Sequence, residues 1–392
     1  MSDHATESDR HLDLVTMGRR WVLDVSALDG AAAEQMAARW VRCRDLAATD
    51  TLLFDDEPVT ITVAATAAPY DLSRELTRAG LERLTGRVLL LHAAALSDEG
   101  GRTLVLVAPS GGGKSTATRV LGQELGYVSD ESVVLLEDHR IAPHPKPPSL
   151  VADPARPGRK DEPSPDDLGL GATPSAPYLG RLLTLAREPD VAEPSIEPVG
   201  LIDQVLAVLP ETSSTWLLPD GLDRLARAAT AGGAPARLRY SEIDACRDLV
   251  RDHLAAKGAP APVWEHLPPA EGQHLEGAGR EGRRREGAAD SGADSDEDVA
   301  APALAADDVL ARGPWSDAIA ADGEVLVLAG ERPLRLAGPG GVLWRVAGTG
   351  RSLAELVEAV IDELGPHPDA GSLVREAAAD LLLHGALVRS LR

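Results

Sequence analysis

The stretch with the clearest chemical potential runs Ala108-Pro109-Ser110-Gly111-Gly112-Gly113-Lys114-Ser115, followed by Thr116. Successive glycines let backbone N–H groups turn toward one point, and a lysine and a hydroxyl directly behind them add a long-stemmed cation and an oxygen that can hold a metal. That combination suits the phosphates of a nucleoside triphosphate. Ser110, Gly111, Gly112, Gly113, Lys114, Ser115 and Thr116 are the expected phosphate-binding residues, with Lys114 reaching the β- and γ-phosphates and the Ser115 hydroxyl on Mg²⁺. The expected cofactors are ATP and Mg²⁺. The first position is Ala108 where glycine is commoner, which the loop tolerates as long as the backbone there does not need a positive φ.

Phosphoryl chemistry also needs a carboxylate beside the metal or the nucleophile. Asp130-Glu131, in GYVSDESVVLL, interrupts an otherwise apolar strand-like run. Asp130 would take the proton of an acceptor hydroxyl while Glu131 and Ser115 share the magnesium shell; a plain turn pair is the alternative. His92, in LLLHAAAL, is either a hydrogen-bonded core residue or a third catalytic group. Arg187, in LLTLAREPD, could neutralise phosphate charge or simply be solvated.

The elements around these residues must position them. TLVLV lies directly before the glycines and TATRVLGQEL directly after, a strand, a loop and a helix. VLLLHAAAL, TLVLVA and VVLLE read as strands buried on both faces. Upstream, WVLDV and PVTITVAA are extended, with helices expected around Ala31 to Leu46 and after Asp71 as N-cap. Residues 143–200 are rich in Pro, Asp and Ser, so much of that stretch is expected to be a long surface loop. LIDQVLAVL and GLDRLARAA then read as helices, ARLRY as a strand, and Asp244 to Lys257 as a closing helix.

From 258 to 303 the chain is Gly, Ala, Pro and charge, which predicts a disordered linker; its Arg283, Arg284 and Arg285 cluster is assigned no chemistry. Large apolar residues return with EVLVLA and PLRLA. Ser352-Leu-Ala-Glu matches a capping box, and Leu353, Leu356, Val357, Val360, Ile361 and Leu364 fall on one helical face that Gly365-Pro366 ends. A second helix over Leu373 to Leu383 and a strand-like ALVRSL complete a pattern suited to a winged helix. The expected organisation is an α/β accessory region over 1–86, a nucleotide-binding domain over 87–257, a linker over 258–303 and a peptide-binding domain over 304–392.

The formal charge of −23 argues against nucleic acid or an anionic membrane as partner. Aromatic residues are only 3% of the chain, so the cores must be built from Leu, Val and Ala. The two cysteines, Cys43 and Cys246, are too far apart in sequence for a metal or thiol-exchange pair and predict buried free thiols. MSDHATESDRH lacks the features of a secretory signal and no apolar run is long enough for a bilayer, so a cytoplasmic location is expected.

LHAAAL, TLVLVAPSGGGKST and LGYVSDESVVLL together resemble the catalytic domain of the HPr serine kinase family, over residues 87–150. The resemblance implies an α/β P-loop core, with His92 on the strand before the loop, Lys114 and Ser115 in it, and Asp130 and Glu131 as the acidic pair after its helix. It also implies phosphorylation of a serine in a protein. The family's pair is usually two aspartates, and here the second is Glu131. Its downstream phosphorylase signature is missing, so reverse phosphorolysis is not expected.

The carboxy-terminal GGVLWRVAGTGRSLAELVEAVIDELG and LVREAAADLLLHGALVRS look like a PqqD-type domain, over 304–392. That resemblance implies recognition of leader peptides of ribosomally made, modified peptides, with the peptide adding a strand to a sheet edge. Jointly the two imply a kinase that holds a precursor peptide or protein substrate and phosphorylates its Ser or Thr, alongside other peptide-maturation enzymes. Two other readings fit the same residues: a non-catalytic ATP-binding peptide chaperone, and a kinase for a small hydroxylated metabolite.

Overall fold

In the computed structural model, residues 10–48, 52–54, 57–66, 68–151, 160–269 and 303–390 are described. The chain is mixed α/β and divides into two compact units, one of residues 1–218 with 224–262, the other of residues 219–223 with 263–392. No described helix is long and apolar enough to cross a membrane.

The first unit is built around a six-stranded sheet with spatial order Ser195–Pro198, Ala236–Tyr240, Tyr178–Arg187, Arg102–Val107, Ala93–Ser97, Gly126–Ser129. Tyr178–Arg187 runs parallel to both its neighbours, whereas Ala93–Ser97 is antiparallel to the two strands beside it. Leu104, Leu106, Leu96, Leu183 and Leu238 form its core with Ala117 and Leu121 of the helix Lys114–Leu121 and Val250 and Leu254 of the helix Arg247–Ala255. Near-continuous Val and Leu in these strands is what burial on both faces requires.

VLLLHAAAL was expected as one strand and forms two. Leu89–Leu91 joins a small antiparallel sheet with Thr212–Ser213, Val133–Leu135 and Ile141–Ala142, while Ala93–Ser97 joins the large one. His92 is the residue between them, its N–H bonded to the Glu211 carbonyl at 2.6 Å while the Ala93 N–H bonds the Glu131 carbonyl at 3.0 Å. The chain therefore changes sheets at His92.

Within 143–200, part of the chain departs from the surface loop that its Pro, Asp and Ser content predicts. Tyr178–Arg187 is a ten-residue strand in the middle of the large sheet, and His144, Lys146, Ser149 and Glu162 are buried. Composition misleads there because these four side chains find hydrogen-bond or ion-pair partners, which is what permits them inside. Residues 152–159 lie outside the described ones.

The amino-terminal region belongs to the same unit. His11–Thr16, Arg19–Asp24 and Val59–Thr62 form a three-stranded sheet packed on Gly30–Arg39, Val41–Ala48 and Pro69–Leu84 through Trp21, Leu23, Met36, Trp40, Leu72 and Leu76. The single helix expected over Ala31 to Leu46 breaks at Trp40. The next helix starts before Asp71: Pro69 takes its first turn, where a missing N–H costs nothing, and Asp71 lies in that turn rather than capping it.

Short polar contacts clamp this region to the 143–170 segment. His144 Nδ1 shares a hydrogen bond with Thr16 Oγ1 at 2.6 Å and its Nε2 another with Thr77 Oγ1 at 3.0 Å, one nitrogen donating and the other accepting, Ser73 Oγ donates to Glu162 at 2.7 Å, and Arg42 Nη2 meets Asp166 at 2.6 Å. Complete burial pushes the His144 imidazole down to about 3. A folded-state value below the ordinary His value of about 6.5 means that the contribution of neutral His144 is full above pH ~6.5 and is lost as pH falls toward the folded value. The urea midpoint should therefore fall more steeply from pH 7.5 to pH 5 in the wild-type chain than in His144→Gln, which has no imidazole to protonate. Equal slopes would remove His144 from the acid response.

In the second unit an antiparallel sheet of order Glu265–His266, Asp317–Ala321, Glu324–Ala329, Arg332–Leu336 accompanies a smaller one of order Arg351–Ser352, Val309–Arg312, Leu387–Arg389. Helices Gly338–Ala347, Leu353–Leu364 and Ala370–Leu383 pack on them around Trp315, Leu343, Trp344, Leu356 and Leu381. The Ser352 capping box forms in full, its hydroxyl accepting from the Glu355 N–H while Glu355 accepts from the Ser352 N–H.

The boundary of the expected linker moves. Glu265–His266 is a strand on the sheet edge, and His266 Nε2 pairs at 2.7 Å with buried Asp317, so ordered structure reaches well into 258–303. Residues 270–302, with the Arg283 to Arg285 cluster, lie outside the described ones. Cys43 and Cys246 are buried free thiols, which burial pushes up to about 12 and about 11.

Candidate active site

The glycine-rich loop leaves the carboxyl end of Arg102–Val107 and enters the helix at Lys114. Gly111 and Gly113 have φ of +80° and +98°, conformations that side-chain-bearing residues avoid. Gly112 is required by space: a Cβ there would stand 2.7 Å from Ala108 Cβ and 2.9 Å from the Pro109 carbonyl oxygen. Ala108 is buried and is not among the positive-φ residues, so the backbone condition on alanine at this position is met.

A cavity of about 220 Å³ opens over the loop, lined by His92, Pro109, Ser110, Gly111, Gly113, Lys114, Ser115, Thr116, Asp130, Glu131 and Ser149. Ser115 and Thr116 are exposed at the start of the helix, where the N–H groups that lack intrahelical partners point out. Lys114 is almost wholly buried; its Nζ donates to the Ala108 carbonyl and, at 3.4 Å, to that of Pro109. Burial lowers its pKa, and Glu211 at 3.9 Å and Glu131 oppose that shift. Arg187 does not line this cavity: it ends its strand in a pair with Glu242 at 2.9 Å.

Asp130 is 4% exposed, and both its oxygens are engaged. Tyr127 Oη donates to one at 3.0 Å, the Ser149 N–H to the other at 3.2 Å, and Lys146 Nζ stands 3.1 Å away. Burial opposes ionisation, but Lys146, the Ser149 N–H and the Tyr127 hydroxyl together hold the carboxyl below the usual range. Lys146 also reaches Glu131 at 3.3 Å and Ser149 Oγ at 3.3 Å, and that hydroxyl donates to Glu162 at 2.8 Å. Its own pKa is raised: burial alone would lower it, and the three carboxylates outweigh that. Glu131 is less enclosed, with its side chain 38% exposed at the cavity.

His92 Nδ1 lies 3.2 Å from Glu211 Oε2, with the imidazole 43% exposed and the carboxylate 14%. Sequence reading did not single out Glu211 or Lys146. Glu211 follows the helix Leu201–Val208 in a short 3₁₀ turn, and Lys146 sits among prolines, so neither has a local motif around it. The signal that could have found Lys146 is chemical: an isolated lysine in an apolar stretch, HPKPPSL, close in sequence to an acidic pair.

For a Mg²⁺–nucleotide the donor set fits. Ser115 and Glu131 offer hard oxygens at the cavity, and Mg²⁺ bound with phosphates typically takes only one or two protein ligands. Among the described residues no group of three or more His, Cys, Asp or Glu side chains forms a metal site of its own.

No protein-family model matches the chain, and no curated protein matches it.

Proposed function

We propose that the chain is an ATP-dependent kinase that transfers the γ-phosphoryl group to a Ser or Thr hydroxyl of a precursor peptide or protein held by its carboxy-terminal region. The observation that carries this reading is convergence. Residues far apart in sequence, His92, Lys114, Ser115, Asp130 and Glu131, line one cavity over a phosphate-type loop.

Lys114 and the loop N–H groups bind and orient the phosphates, and the buried surroundings strengthen each such contact relative to water. Bound Mg²⁺ would neutralise charge on the β- and γ-phosphates, with the Ser115 hydroxyl and Glu131 holding it. Asp130, Glu131 and His92 are the cavity groups able to accept the hydroxyl proton.

The second unit supports a peptide acceptor. Arg332–Leu336 is an edge strand, paired on one side only among the described residues, and an extended segment can add to such an edge through backbone hydrogen bonds. Tethering the acceptor raises its effective concentration at the cavity. One observation favours the chaperone reading: the three donors on Asp130 make it a weak base.

Incubation of the full chain with γ-labelled ATP, Mg²⁺ and candidate precursor peptides separates the readings. Label on a peptide Ser or Thr, lost in Lys114→Met, is the expected result. ATP bound but unhydrolysed in the presence of bound peptide would leave the chaperone reading standing, and label only on small hydroxylated compounds would move the acceptor class.

A further inference from the structure

Two acid–base groups compete for one role at the cavity, and their surroundings differ. Asp130 has no free lone-pair direction of consequence: Tyr127 Oη, the Ser149 N–H and Lys146 Nζ converge on its two oxygens. To accept a substrate proton it would have to give up one of these contacts, each of which already occupies a carboxylate oxygen. Glu131 shares the same ammonium at 3.3 Å.

His92 is arranged the opposite way. Its backbone is pinned on both sides, by the Glu211 carbonyl on its own N–H and by the Glu131 carbonyl on the next one. Its Nδ1 faces the Glu211 carboxylate at 3.2 Å, and its ring is partly exposed at the cavity. An ionised carboxylate only accepts hydrogen bonds, so a neutral imidazole beside it must carry its proton on Nδ1. That leaves the Nε2 lone pair unprotonated.

We infer that His92 is the general base of the transfer and that Glu211 is its positioning residue, while Asp130 serves with Lys146 as a fixed ion pair in the cavity wall. This rests on the kinase reading. The acceptor oxygen bonds to the γ-phosphorus, and the bond from that phosphorus to the β,γ-bridging oxygen breaks with its electron pair staying on ADP. The hydroxyl proton passes to Nε2, giving an imidazolium that the Glu211 carboxylate stabilises. Solvent takes that proton after the products leave.

The arrangement shares its logic with the carboxylate–histidine pair of serine hydrolases, where an amide in place of the carboxylate installs the wrong tautomer. Glu211→Gln should do the same here, because its amide N–H₂ donates to Nδ1 and moves the ring proton to Nε2. Its kcat should fall by roughly a thousandfold. The ¹⁵N shifts of the His92 ring should report an Nδ1–H tautomer in the wild-type chain and an Nε2–H tautomer in the variant. A merely structural Glu211 would not move that signature.

His92→Ala should lose transfer to a similar degree and regain part of it with added imidazole, with ATP affinity retained. Transfer by His92→Ala within about tenfold of wild type, or an unchanged tautomer in Glu211→Gln, overturns the assignment alone. No transfer by the wild-type chain to any hydroxyl acceptor sinks the kinase reading and the assignment with it.

Discussion

Lys146→Met should destabilise the first unit by about 3 kcal/mol or more, because removing one partner of a buried ion pair leaves the other charge without compensation. Asp130 is 4% exposed and Lys146 fully buried, so water cannot replace the lost ammonium. The Tyr127 hydroxyl and the Ser149 N–H stay on the carboxylate, which places the loss at the lower end of the usual ~3–5 kcal/mol. Against a typical domain stability of about 5–15 kcal/mol that is a large fraction. Urea unfolding followed on Trp21 and Trp40, both buried in this unit, should show the midpoint fall with little change in slope.

The companion experiment removes the orphaned charge. Lys146→Met combined with Asp130→Asn should recover part of the lost stability, since a neutral amide is easier to bury than a carboxylate. Additive losses in the double variant would mean that the two residues act independently, against their 3.1 Å separation.

The second large effect separates stability from binding. Lys114→Met keeps the length and apolar stem of the side chain while removing an ammonium that burial already disfavours. The fold should be as stable as wild type or slightly more so. Nucleotide affinity should drop by about tenfold to a hundredfold or more, the worth of a charge-assisted hydrogen bond of roughly 1.5–3 kcal/mol to phosphate. Calorimetric titration with Mg²⁺–ATP beside a thermal melt reads both. Unchanged affinity would show that the loop does not use its lysine for phosphate.

How much of this could be read from sequence depends on whether a signal is local. The glycine-rich loop, its flanking strand and helix, and the Ser352 capping box are each set by residues within a few positions, and all appear where the residues place them. His92 was visible as a polar residue in an apolar run, but its position at the switch between two sheets depends on partners at Thr212–Ser213 and Gly126–Ser129. Tyr178–Arg187 was hidden because its identity as a central strand comes from pairing with Arg102–Val107 and Ala236–Tyr240, distant in sequence, while Pro and Asp around it signal a loop. Lys146 and Glu211 were hidden for the same reason: their importance lies in which carboxylate, ammonium or imidazole the fold brings beside them.

The strand Glu265–His266 changes what the stretch after it can do. Leu267 and Leu304 both pack against the same core, so the chain before 270 and after 302 belongs to one unit. The chain passes between the units at Leu218–Pro219, Asp223–Arg224 and Pro262–Val263. A change of chain length between Leu267 and Leu304 therefore falls within one unit and leaves those three crossings as they are. A residue inserted at any of the three crossings, by contrast, alters a connection between the units directly.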